Sequence, residues 1–101
     1  DAYDKVLSTI KDMVVEPGVL HIVFGCGGDR DKTKRAQMAA SAERFGYYCY
    51  VTPDNPRKEE LTEITADIVS GFCANEYAVF DKRGAGLRQA LERAAENDVV
   101  V

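Results

Sequence analysis

The run Val19-Leu-His-Ile-Val-Phe24 limits the possible folds more than any other part of the sequence. It is apolar at odd and even positions alike, so both of its faces need cover. That suits a central strand of a parallel sheet and not an edge strand. Pro17-Gly18 precedes the run and Gly25-Cys-Gly-Gly28 follows it, which sets its ends. His21, its one ring nitrogen bearer, is read as a packed, hydrogen-bonded histidine.

The flanking periodicities supply the other layers. Val6, Leu7, Ile10, Met13 and Val14 recur at spacings of three and four, the apolar stripe of a helix over 2–14. A second helix is expected over about 35–45 with Met38, Ala42 and Phe45 inward, and Tyr47–Val51 is the next strand. Pro53-Asp-Asn-Pro56 turns into a helix from about 57 to 71, with Leu61, Ile64, Ile68, Val69 and Phe72 as its stripe. Asn55 is its expected N-cap and Pro56 its first helical position. Tyr77–Phe80 is a third strand, 85–96 a helix with Leu87, Ala90, Leu91 and Ala94 inward, and Val99–Val101 a fourth strand.

Strands alternating with helices imply right-handed crossovers and a sheet covered on both faces. The expected fold is α/β, a Rossmann-like three-layer α/β/α domain with a mostly parallel sheet. A chain of 101 residues holds one such core, so 1–101 is read as one domain without a linker. Ligands of such sheets sit beyond the carboxyl ends of the strands, which places chemistry in the loops 25–35, 52–58 and 81–85.

Thirteen basic and seventeen acidic side chains give a net charge of −4 and a pI near 4.9. That is the wrong sign for a domain that lives on phosphate backbones, so nucleic acid and anionic membrane are not expected partners. No apolar run approaches the roughly 20 residues that span a bilayer, and no signal-peptide pattern opens the chain, so a cytoplasmic location is expected. Cys26, Cys49 and Cys73 are odd in number and lack a C-x-x-C pair, which suits reduced, buried thiols. With a single histidine, a cysteine-histidine metal site is not expected either. The chain starts at Asp1 without Met and stops within an apolar strand signal, Asp98-Val-Val-Val101, and is therefore read as a fragment.

The loops carry the polar chemistry. Gly25-Cys-Gly-Gly-Asp-Arg-Asp31 fails the dinucleotide fingerprint at Arg30 and the P-loop pattern at Asp31. Its glycines are read as letting backbone approach backbone at a tight strand-to-helix turn. Lys32, Lys34 and Arg35 are read as charges of a solvated loop, with contact to a phosphate as the alternative. Arg30, flanked by two aspartates, is placed to grip a carboxylate with both prongs of its guanidinium. Arg57 and Lys58 add positive charge where the next helix is expected to begin, a place that favours an anion, while Asp54 can take an ammonium group. The loop thus has the polarity to hold a zwitterionic amino acid. No nucleophile with an activating base can be assembled, so no catalytic residue is assigned.

Phe24-Gly-Cys-Gly-Gly-Asp-Arg-Asp-Lys-Thr-Lys-Arg35 and Val51-Thr-Pro-Asp-Asn-Pro-Arg57 closely resemble motifs in the C-terminal domain of the tripeptide-forming Mur ligases. The resemblance runs on through Ile68–Gly71, Arg83–Leu91 and Asn97–Val100. It implies ATP-dependent addition of meso-diaminopimelate to UDP-MurNAc-L-Ala-D-Glu in cytoplasmic peptidoglycan synthesis, through an acyl phosphate. By similarity, Arg30, Asp54, Asn55, Pro56 and Arg57 hold the incoming diaminopimelate, since lysine-adding relatives usually lack the last arginine. ATP and Mg2+ would be bound mainly outside this chain, with the UDP-sugar held by an N-terminal domain and the P-loop by a central one. The alternative that the residues leave open is a stand-alone binding module for a small zwitterion.

Overall fold

A computed structural model describes residues 2–28, 32–74 and 76–101. Eight elements alternate: α1 (Ala2–Asp12), β1 (Leu20–Phe24), α2 (Lys32–Phe45), β2 (Tyr48–Val51), α3 (Leu61–Val69), β3 (Tyr77–Val79), α4 (Arg83–Arg93) and β4 (Val99–Val100). The strands form one sheet in the order β3-β2-β1-β4, and every pairing is parallel. β1 is interior, as its two-faced apolar run requires. Its register on β2 pairs His21 with Tyr48 and Phe24 with Val51.

Strand alternation sorts these residues onto two faces. Leu20, Ile22 and Phe24 of β1 join Cys49 and Val51 of β2 on one face, packed on Leu7 of α1, Ala39 and Ala42 of α2, and Ile64 and Ile68 of α3. Each fully buried isoleucine contributes about 1.5–3 kcal/mol relative to exposure. α4 covers the opposite face, where the Arg93 guanidinium lies 4.0 Å from the centroid of the Tyr48 ring. The expected three layers and parallel sheet are therefore present.

His21 is buried on the α4 side, with Nδ1 2.9 Å from the Tyr50 hydroxyl and Nε2 2.9 Å from Asp98 Oδ2. This is the satisfied core histidine that the sequence suggests. All three cysteines are free thiols. Cys49 is buried and its pKa is pushed up to about 12 by that burial, but Cys73 is exposed, against expectation.

All four helices depart from their predicted limits: α1 ends at Asp12 instead of 14, and α4 spans Arg83–Arg93 instead of 85–96. α2 begins at Lys32, so Lys32-Thr-Lys-Arg35 is a first helical turn and not a loop. α3 begins only at Leu61, behind Glu60 at its N-cap, because Arg57 stands at φ 54°, where no right-handed helix can pass. Asn55 is therefore not the cap and Pro56 not the first helical residue. Arg57 and Lys58 precede α3 and do not oppose its dipole.

α4 spans Arg83–Arg93 and turns Gly86 and Ala90 inward, leaving Leu87 45% and Leu91 58% exposed. The reason is close packing: a Cβ on Gly86 would strike Thr52 Cγ2 and lie 3.2 Å from the Phe80 ring. A stripe of small residues lets this helix approach the sheet, and the leucines face away.

Candidate functional site

The loops that leave β1 and β2 are fastened side by side at the carboxyl end of the sheet. The Thr52 amide donates to Phe24 O and the Gly28 amide to Asn55 O, both at 2.8 Å. Between these bonds the backbones touch. A Cβ on Gly25 would collide with Thr52 O, and one on Gly28 with Pro56 O. The glycines serve close backbone approach, as expected, but between two neighbouring loops and not within one strand-to-helix turn.

Asp54 to Arg57 form a compact turn. Asp54 Oδ1 accepts from the Asn55 amide and from Arg83 Nη2, each at 2.8 Å. With Asp54 47% and Arg83 68% exposed, that ion pair is worth no more than about 1 kcal/mol. Asn55 Oδ1 accepts the Arg57 amide at 3.0 Å, an Asx-turn that consumes the side chain expected to cap a helix. Pro56 O accepts the Glu59 amide at 3.0 Å and closes the turn. Arg57 sits at its tip in the left-handed region, a costly place for a long side chain. Its guanidinium is exposed and has no hydrogen-bond or ion-pair partner among the described residues. Arg30, the other arginine predicted to bind a carboxylate, lies outside the described residues.

Arg35 overturns its sequence reading as a solvated charge. Only 1% of it is exposed. Nη2 donates to Glu59 Oε1 at 2.8 Å and to Gly27 O at 3.3 Å, while Nη1 donates to Glu59 Oε2 at 3.0 Å and Asp67 Oδ2 at 2.8 Å. The Glu59 bonds, ahead of those from Asp67, hold its proton more tightly than in a free arginine, against the opposing effect of burial. Its phase was the available signal: Arg35, Ala39 and Ala42 recur at spacings of four and three, the inward stripe of α2.

Two clefts flank the fastened loops. One of ≈ 360 Å³ is lined by Gly25–Gly27, Lys34, Arg35, Met38 and Asp54. The other, ≈ 290 Å³, lies against α4 and is lined by Thr52, Pro53, Asp54, Arg83 and Leu87 among others. Asp54 stands in the wall of both. A larger cavity of ≈ 600 Å³ opens at the amino ends of the strands, beside Lys11, Glu16 and Glu76. It is remote from the glycine loop and the Asp54–Arg57 turn, and parallel sheets bind ligands at the other end. Among the described residues no group of three or more His, Cys, Asp or Glu side chains could hold a metal ion.

Residues 1–101 match the family described as Mur ligase, glutamate ligase domain. The chain is 42% identical over 101 residues to the UDP-N-acetylmuramoyl-L-alanyl-D-glutamate--2,6-diaminopimelate ligase of Chlamydia trachomatis serovar D, covering 100% of this chain and 21% of that protein. It is 46% identical over 102 residues to the protein of the same name from Ectopseudomonas mendocina, covering 100% of this chain and 20% of the relative. A solved structure of a ligase so named superposes with a TM-score of 0.88 at 36% identity, over 100% of this chain and 21% of the other. The chain thus spans about a fifth of the length of these relatives.

Proposed function

Since this chain belongs to the Mur ligase family, as its glutamate ligase domain, we propose that it recruits meso-diaminopimelate for a complete ligase that adds this amino acid to UDP-MurNAc-L-Ala-D-Glu. The relatives carry ligase names that specify this pair of reactants, and they are about five times as long. In the proposal, 1–101 is the C-terminal domain, and the central and N-terminal domains hold the nucleotide and the UDP-sugar. Bound there with Mg2+, ATP would supply the phosphoryl group that activates the D-glutamyl carboxylate, in a cytoplasmic reaction. No helix among the described residues is long and apolar enough to cross a membrane.

The observation that carries the reading is the exposed guanidinium of Arg57, without a partner among the described residues and held at φ 54° at the tip of the turn beside the glycine loop. A left-handed arginine at the tip of a turn next to the glycine loop, its cation exposed, is an arrangement for an anion, here the distal carboxylate of diaminopimelate. Arg30 is assigned the same carboxylate. Asp54 takes an ammonium group of the amino acid in exchange for Arg83. Asn55 and Pro56 contribute through the turn they build, Asn55 by its bond to the Arg57 amide and Pro56 by its carbonyl to Glu59. Lysine has no distal carboxylate and would set an ammonium against two arginines, so the same residues reject it. The relatives described above do not favour a stand-alone binding module, since they are named as ligases.

Arg57→Ala in the complete ligase is expected to raise KM for diaminopimelate by about one to two orders of magnitude, the worth of a charge-assisted hydrogen bond. Arg57→Gly removes the same guanidinium while easing the backbone, and should match it. Wild-type KM in both variants would remove Arg57 from the site.

A further inference from the structure

We propose that Arg35 is a positioning residue for amino-acid capture: it ties the glycine loop at Gly27 and the turn that carries Arg57 to one buried point and so sets where Arg57 points. This rests on the reading of Arg57 as the carboxylate ligand.

Arg35 touches three separate segments. Gly27 O belongs to the loop after β1, Glu59 to the turn after β2, and Asp67 to α3. The bond to Glu59 is two-pronged, so it fixes the direction of the glutamate as well as its distance. Glu59 in turn closes the 56–59 turn through its amide on Pro56 O. Arg57 lies inside that turn, held by Asn55 Oδ1 in front and by the Glu59 anchor behind. A left-handed arginine with an exposed side chain has no packing of its own to keep it there. The restraint has to come from the turn's two ends, and one of those ends, Glu59, is held by Arg35.

Core stability alone is a poor account of this arrangement. A buried ion cluster is often no more stabilising than apolar side chains of the same volume, and the core neighbours of Arg35 along α2, Met38, Ala39 and Ala42, are apolar. What an apolar residue could not do is hold a carbonyl of one loop and a carboxylate of the other with fixed angles. The glycine-loop carbonyl it holds and the Glu59 carboxylate are thereby referred to the same guanidinium.

Steady-state kinetics of the complete ligase with diaminopimelate varied provide the test. Arg35→Lys keeps the charge but cannot reproduce the planar two-pronged bond to Glu59 together with those to Gly27 O and Asp67, and is expected to raise KM for diaminopimelate about tenfold, with KM for ATP and for UDP-MurNAc-L-Ala-D-Glu unchanged. Glu59→Gln should act in the same direction, and it carries the test alone if Arg35→Lys does not fold. Asp67→Asn cuts only the arm to α3, so it should lower the melting temperature and leave KM for diaminopimelate at the wild-type value. A merely structural knot predicts otherwise: wild-type KM in Arg35→Lys and Glu59→Gln, or a rise in all three KM values together, overturns the proposal.

In an Arg57→Ala background, Arg35→Lys should add less than about twofold, because its effect runs through Arg57; full additivity overturns that route. Should Arg57→Ala leave KM unchanged, the reading of Arg57 itself has failed. That result is separate from an Arg57→Ala defect with no Arg35 effect, which overturns positioning alone.

Discussion

Gly28 holds its amide 2.8 Å from Asn55 O while a side chain there would meet Pro56 O. Gly28→Ala is therefore expected to pry the two loops apart and cost about 1–3 kcal/mol, the usual penalty of forced overpacking. Gly84 is the control. Nothing lies within 4 Å of a Cβ built on it, so Gly84→Ala should raise stability by about 0.5–1 kcal/mol through helix propensity. Denaturant midpoints of the two variants check both signs, and equal shifts would refute the contact. At this scale the sequence made Asp54–Arg57 legible because short polar side chains around a proline announce a turn and because their charges stay outside. Arg35 was not legible as a knot. Its partners lie 24 and 32 residues away, and only the tertiary fold brings a lysine-rich helix turn against two acids of the next loop and helix.

Among the elements, the alternation of α and β was readable throughout, since burial imposes periods of two and of 3.6 on the sequence itself. The ends were not, because a boundary is settled by a few competing bonds: Asn55 spends its oxygen on Arg57, and α3 starts five residues after Pro56 instead of at it. β4 shows the same local logic. Asp98 accepts the Ala95 and Val19 amides and faces His21 Nε2, which binds the last turn to the start of β1. These bonds, the Ala95 amide first and His21 next, hold its pKa down to about 2 from the ordinary 3.8. A depressed folded-state pKa gives stability that is complete above the unfolded value and lost as the pH falls through the folded one. The stability difference between wild type and Asp98→Asn is thus expected to be constant from neutral pH to about pH 4 and to shrink between about pH 4 and 2. A difference unaltered across that interval would show that the carboxylate charge contributes nothing to the docking of β4.

At the scale of the whole molecule, three helices insulate one face of a parallel sheet and α4 the other, so the polar machinery is pushed to the strand ends. Both clefts there share Asp54, and α4 reaches it through Arg83. The proposed selectivity follows from that assembly and not from any one cation. In the complete ligase, Arg57→Ala should narrow the ratio of kcat/KM for diaminopimelate over lysine, mostly by loss of the former, because removing one arginine leaves Arg30 to repel an ammonium. A rise in lysine turnover that accounted for the whole change would instead make Arg57 a gate. The backbone contact between Gly28 and Pro56 has a further consequence for how such a domain can change through descent. Two loops in van der Waals register cannot drift independently: a residue inserted into one would have to be answered in the other. Variation at 25–28 and at 52–57 is therefore epistatic, and a library meant to retune the amino acid has to diversify both stretches at once.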